Sequence, residues 1–161
     1  IYFEHSHHYR GHEESVKKAI VNLAKLDFID LIIKAHTRSN KIYTTGLEKY
    51  ASNKHSLNLI KWCDVAMGVT SSIFIEVLLE KKAFILPKFF TDNTSLYEKF
   101  NVCWEVNNYK ELEEALYELR LNPDRLPYGN KEIELFIKSI INNTSRDVLS
   151  DYKNFILAEK Y

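Results

Sequence analysis

Thr70, Ser71 and Ser72 follow a short apolar run, Val65 to Val69, and stand immediately ahead of an apolar helical stretch that carries Glu76 one turn in. Hydroxyl side chains beside the amides of a helix start favour an anion such as phosphate. Glu76 lies at i+4 from Ser72 and so shares its face. Ile73, Phe74, Ile75, Val77, Leu78 and Leu79 make the helix apolar nearly all round, which predicts a buried helix whose one polar stripe is Ser72, Glu76 and Glu80. Hydroxyls at phosphates and a carboxylate for ribose hydroxyls fit a nucleotide. The same residues also describe a plain helix cap followed by a core helix with one solvated edge.

Three other segments carry groups of matching chemistry. His5 to Ser15 contains Arg10 and Gly11; Lys34, His36 and Arg38 follow a second apolar run; Lys88 follows Pro87 at the end of a third. In an open parallel sheet the ligand lies beyond the carboxyl ends of the strands, at the crevice where the strand order reverses. The loops that follow strands are therefore the ones that matter. Arg and Lys pair with phosphate oxygens and His donates from either nitrogen, so Arg10, Lys34, His36 and Arg38 form a candidate pyrophosphate shell. Taken singly, each also reads as a solvated loop charge. His5, His7, His8 and His12 do not compose a metal framework: no Cys or Asp completes a set nearby, and strand alternation puts His8 on the side opposite His5 and His7. No metal is expected.

These loops need a scaffold, and the hydropathy pattern supplies one. Strand-length apolar runs at 1–3, 28–33, 65–69, 83–86 and 102–106 alternate with helical patterns at 13–25, 57–62, 72–80, 95–100 and 109–121. Near-continuous apolar strands separated by helices predict an α/β, Rossmann-like, doubly wound parallel sheet covered on both faces. Past Pro127 two helical stretches, 131–142 and 144–161, follow without a strand. The expected organisation is a ligand-binding domain over 1–126 and a C-terminal helical appendage over 127–161. Ile1-Tyr-Phe-Glu reads as a strand already in progress, so the chain is expected to be a fragment lacking a preceding domain.

Composition narrows the partners. The 161 residues hold 22 basic and 22 acidic side chains, a formal net charge of zero, which argues against bulk nucleic-acid attraction and polybasic membrane binding. Cys63 and Cys103 sit in apolar segments without metal spacing, as reduced core thiols of a cytoplasmic protein would. No signal peptide or run of membrane-spanning length is present in the sequence.

The order of these segments resembles a known family. A strand, a basic Gly-containing loop and a helix precede Lys34-x-His36-x-Arg38; then come Cys63-Asp64-Val-Ala-Met-Gly-Val-Thr-Ser-Ser-x-x-x-Glu76 and Lys82-Ala-Phe-Ile-Leu-Pro87. This is similar to the C-terminal, donor-binding domain of GT-B glycosyltransferases of the bacterial surface-polysaccharide branch, such as the capsule, CDP-glycerol and sialyl-type transferases. The resemblance covers residues 1 to about 120. It implies half of a GT-B fold and a nucleotide-sugar or polyol-phosphate donor, CMP-, CDP- or UDP-linked, bound as substrate with no tightly held cofactor. It implies Lys34 and His36 at the donor phosphates, Ser71 and Ser72 on phosphate or pyrophosphate, and Glu76 on ribose; the residue pattern adds Arg10 to the groups expected to stabilise the leaving group, and Thr70, Arg38 and Gly11 to those expected to bind the donor. The acceptor would be a polysaccharide or lipid-linked chain, met through an N-terminal domain, in the cytoplasm or peripherally at the inner face of the membrane. This chain departs from the pattern at Thr37 and Ala83, where the family usually has Pro; Thr37 leaves the loop that aims His36 without the restraint of a proline ring. A non-hydrolysing nucleotide-sugar epimerase half and a non-catalytic nucleotide-binding scaffold are the alternative readings.

Overall fold

A computed structural model describes residues 1–5, 11–37, 39, 42 and 45–141. Five strands form one all-parallel sheet: β1 (Tyr2–Phe3), β2 (Ile33–Lys34), β3 (Val65–Met67), β4 (Ala83–Pro87) and β5 (Trp104–Val106), in the order β2-β1-β3-β4-β5. The chain moves outward from β1 to β2, then crosses back over β1 to lay down β3, β4 and β5. The order therefore reverses between β1 and β3, and a crevice opens there between loops that leave in different directions.

Alternation along the strands splits the core in two. Tyr2, Ile33, Met67, Ile85 and Val106 face one side, where α1 (Glu13–Leu23) contributes Val16, Ala19, Ile20 and Leu23 and α5 (Tyr109–Leu121) contributes Leu112, Ala115 and Leu119. Phe3, Ala66, Phe84 and Leu86 face the other, covered by α2 (Ser56–Trp62), α3 (Ile73–Leu79), α4 (Leu96–Lys99) and α6 (Asn130–Ile141) through Ile60, Phe74, Val77, Leu78, Tyr97 and Phe136. Both faces are covered, so the domain is a Rossmann-like doubly wound α/β fold. The buried Tyr128 hydroxyl accepts the Phe84 amide at 2.8 Å, tying the lead into α6 to β4. The helical stretch expected at 144–161 lies outside the described residues.

Two differences from the sequence pattern have local causes. The apolar run 28–33 joins the sheet only at its end, where β2 starts at Ile33, and its first residues belong to a turn, with Leu26 N–H on Leu23 O and Ile29 N–H on Leu26 O. Phe28 spends its apolar surface on α5 instead, edge-on to Tyr117 and beneath the Arg120 guanidinium. The second difference is α3, which is not buried all round. Phe74, Val77 and Leu78 are buried, whereas Leu79 is half exposed at 51 % and Ile73 and Ile75 border an open cleft.

Phe74 seats α3 on the sheet. Its ring stacks on Phe84 with centroids 3.9 Å apart and an interplanar angle of 13°, and stands edge-on to Phe3 and Tyr97. The ring and the strand come this close because residue 68 has no side chain: a Cβ there would lie 2.7 Å from Phe74 Cζ and 2.8 Å from Phe3 O. Gly68→Ala is therefore expected to lower unfolding free energy by about 1–3 kcal/mol, read from urea denaturation. A wild-type midpoint and slope would show that the contact is not tight.

Candidate functional site

Beyond the carboxyl ends of β1, β2 and β3, at the reversal of strand order, lies a cleft of about 450 Å³. Lys34, His36 and Thr37 reach it from the end of β2, Ser71 and Ser72 from the turn after β3, Glu76 from the first turn of α3, and Ser56 from the first residue of α2. Phe3, Leu57, Ile73 and Ile75 give it an apolar lining, and Glu4, next after β1, completes it. One ammonium, one imidazole, two carboxylates and four hydroxyls thus border a single space.

Five of the residues singled out in the sequence converge here: Lys34, His36, Ser71, Ser72 and Glu76. Gly11 and Thr70 are not among the residues lining the cleft. Gly11 sits at φ +79°, in the turn that admits the chain to α1, so its role there is conformational. Thr70 is half-buried in the tight connection from β3. Arg10 and Arg38 lie outside the described residues, as do His7 and His8.

The loop after β4 turns elsewhere. Lys88 Nζ is held by Glu98 and by the Asn93 carbonyl at 3.1 Å, and Asp92 lies 3.2 Å from His12 at the start of α1. Trp62 is half exposed at the far end of α2. It lines a separate hollow of about 570 Å³ at the amino ends of the strands, together with Phe28, Asp64, Leu116 and Arg120.

The turn into α3 differs from an open anion nest. Ser72 has helical backbone angles and its side chain makes no capping bond; the Ile73 amide donates to Ser71 Oγ at 3.4 Å, Phe74 to Ser71 O at 3.3 Å and Ile75 to Ser72 O at 3.1 Å. The first helical amides are engaged within the turn, although two of these bonds are long and weak. Donors toward an anion are therefore the hydroxyls of Ser71 and Ser72, with Lys34 and His36 from across the cleft. Lys34 Nζ rests at 3.5 Å from Ser52 O, a contact loose enough to be exchanged for a better acceptor.

Glu4, Ser56 and Tyr97 escaped the sequence pattern. Glu4 looked like the end of a strand. The Tyr97 ring packs in the core, yet its hydroxyl donates to the Ser71 carbonyl at 2.7 Å and so fixes the serine turn from α4. Burial pushes this hydroxyl up to about 12, so it remains a donor through the neutral range.

Comparisons with protein-family models, with curated proteins and with solved structures find no match to this chain. Fold and cleft define a Rossmann-like domain with a mixed-charge, hydroxyl-rich site at its topological switch point. Among the described residues no helix is long and apolar enough to cross a membrane.

Tyr97→Phe removes the donor and keeps the ring. It is expected to lower stability by about 1 kcal/mol and to speed amide exchange at Ile73, Phe74 and Ile75 relative to α5. Unaltered exchange there would show that the serine turn does not depend on this bond.

Proposed function

We propose that this chain is the donor-binding part of a glycosyltransferase, its cleft receiving a nucleotide-activated sugar or polyol phosphate. The observation that carries the reading is the convergence of Lys34, His36, Ser71, Ser72 and Glu76 on one space at the reversal of strand order. Open α/β sheets bind nucleotides at this place, and the donors are of the kind that grip phosphate. The order of motifs along the chain, similar to that of GT-B donor domains, supports the same reading.

In this proposal Lys34 and His36 approach the donor phosphates from β2, Ser71 and Ser72 add hydroxyl bonds from β3, and Glu76 accepts from ribose hydroxyls at the rim. Arg10 and Arg38 join the phosphate shell by their place in the sequence. An acceptor hydroxyl, on a polysaccharide or lipid-linked chain presented by another domain, attacks the anomeric carbon or phosphorus and loses its proton to a base of that domain. The bond to the nucleotide phosphate breaks, and its electron pair stays on the departing oxygen. Donors aimed at that oxygen stabilise the transition state by about 3 kcal/mol per well-placed group.

Calorimetric titration with CMP, CDP and UDP and with their sugar or glycerol conjugates tests the proposal. One nucleotide series is expected to bind selectively. His36→Ala and Ser71→Ala, each folded by circular dichroism, are expected to weaken that binding about tenfold. Silence across the whole panel, or binding that neither substitution alters, overturns the reading and leaves a non-catalytic scaffold as the better description.

A further inference from the structure

Lys88 follows β4 and has the chemistry of a phosphate ligand, yet it is not among the residues lining the cleft. Its ammonium pairs instead with the Glu98 carboxylate and donates to the Asn93 carbonyl at 3.1 Å. The pair is largely shielded, its side chains 21 % and 11 % exposed. Breaking a shielded ion pair strands a charge, so such a pair holds its elements more firmly than a surface one. Glu98 is the third residue of α4 and closes its capping box: the carboxylate accepts the Ser95 amide, and the Ser95 hydroxyl accepts the Glu98 amide at 3.3 Å. One carboxylate thus joins the start of α4 to the end of β4. Burial acts to raise the Glu98 carboxyl, but the bonds from Lys88 and Ser95 together bring it below the ordinary carboxylate value, so the charge is present at neutral pH.

Tyr97 stands next to Glu98 on this helix, and its hydroxyl donates to the Ser71 carbonyl at 2.7 Å. The same carbonyl accepts the Phe74 amide at 3.3 Å, at the entry to α3. A helix of one turn does not hold itself in place, so the position of Tyr97 depends on what anchors α4. Phe74, Phe84 and Phe136 pack against its ring. Ring packing tolerates a range of geometries, whereas a hydroxyl-to-carbonyl bond needs closer placement. We propose that Lys88 is a positioning residue for the cleft: it anchors α4 through Glu98, keeps the Tyr97 hydroxyl on the Ser71 carbonyl, and so holds the serine turn in its ligand-binding form. This rests on the donor-site reading above and gives the loop after β4 a part in a site to which it lends no lining residue.

The test combines amide exchange of the ligand-free chain with calorimetric affinity for the nucleotide that binds wild-type chain. Lys88→Met removes the ammonium and keeps most of the stem; Glu98→Gln removes the charge and keeps a side chain able to close a capping box. Each is expected to speed exchange at Ile73, Phe74 and Ile75 about fivefold, with α5 at its wild-type rates, and to weaken nucleotide binding about fivefold. Lys88→Arg, which keeps the charge, is expected to return both to within about twofold of wild type. In a Tyr97→Phe background Lys88→Met is expected to weaken binding by less than about twofold more, because residues that act through one bond are not additive. An equal loss in both backgrounds would mean that Lys88 touches the ligand itself, and exchange that rises in α5 as much as in α3 would mean a general loss of stability. Either result, or wild-type exchange in the variants, overturns the role of Lys88 and leaves the donor-site reading standing. If Lys88→Met does not fold, Glu98→Gln in the same two backgrounds decides. Wild-type chain that binds no member of the panel overturns the donor-site reading and the binding part of this role, while exchange still decides whether Lys88 anchors the serine turn.

Discussion

The packing of Phe74 over Gly68 determines where α3 begins, and through that helix where half of the cleft's polar groups stand. The α3 N-terminus has no side-chain cap, and its serine turn is closed by long bonds. Local capping is thus too weak to define the start of the helix. The ring stack between Phe74 and Phe84, with Phe3 and Tyr97 at the edges, does it instead. Tyr97 belongs to this cluster by its ring and to the site by its hydroxyl, so the apolar core and the polar turn are held by the same residue.

The opposite wall is built differently. Lys34 and His36 come from the end of a two-residue strand at the edge of the sheet, paired with β1 on one side and met on the other by an isolated bridge between Ile33 and Ala51. A short edge strand holds its loop less firmly than a central strand does. The cleft thus joins a serine turn fixed by aromatic packing to a basic loop on a lighter support. Its charge is also mixed, with Glu4 and Glu76 among the lining residues beside Lys34 and His36. Such a lining discriminates among ligands by where their anionic and hydroxyl groups fall, as a conjugate of phosphate and polyol requires.

Much of this was legible in the sequence, and the limits have physical reasons. The pattern of α5 reads to the residue, because Leu112, Ala115 and Leu119 recur on one face and Asn108 caps it with a bond to the Glu111 amide at 3.0 Å. The run 28–33 misled because apolar content reports burial, not pairing, and Phe28 is covered by a helix. The apolar circumference of α3 misled in the same way: Ile73 and Ile75 serve the cleft wall, where a ligand rather than the core would cover them. Convergence of Lys34, His36, Ser71, Ser72 and Glu76 was readable because parallel topology sends all post-strand loops to one edge. Glu4, Ser56 and Tyr97 were not, since each joins the site through a tertiary contact that leaves no periodic signal.

The central claim is that the cleft at the β1/β3 reversal is where a ligand binds. Amide chemical-shift mapping of the isotope-labelled chain, titrated with CDP-glycerol, CMP-sialic acid and UDP-glucose, addresses it most directly. The account predicts saturable shifts concentrated at Glu4, Lys34 to Thr37 and Ser71 to Glu76 with at least one of the three. Shifts concentrated instead around Phe28, Trp62 and Asp64 at the opposite edge, or no saturable shift with any of them, would contradict it.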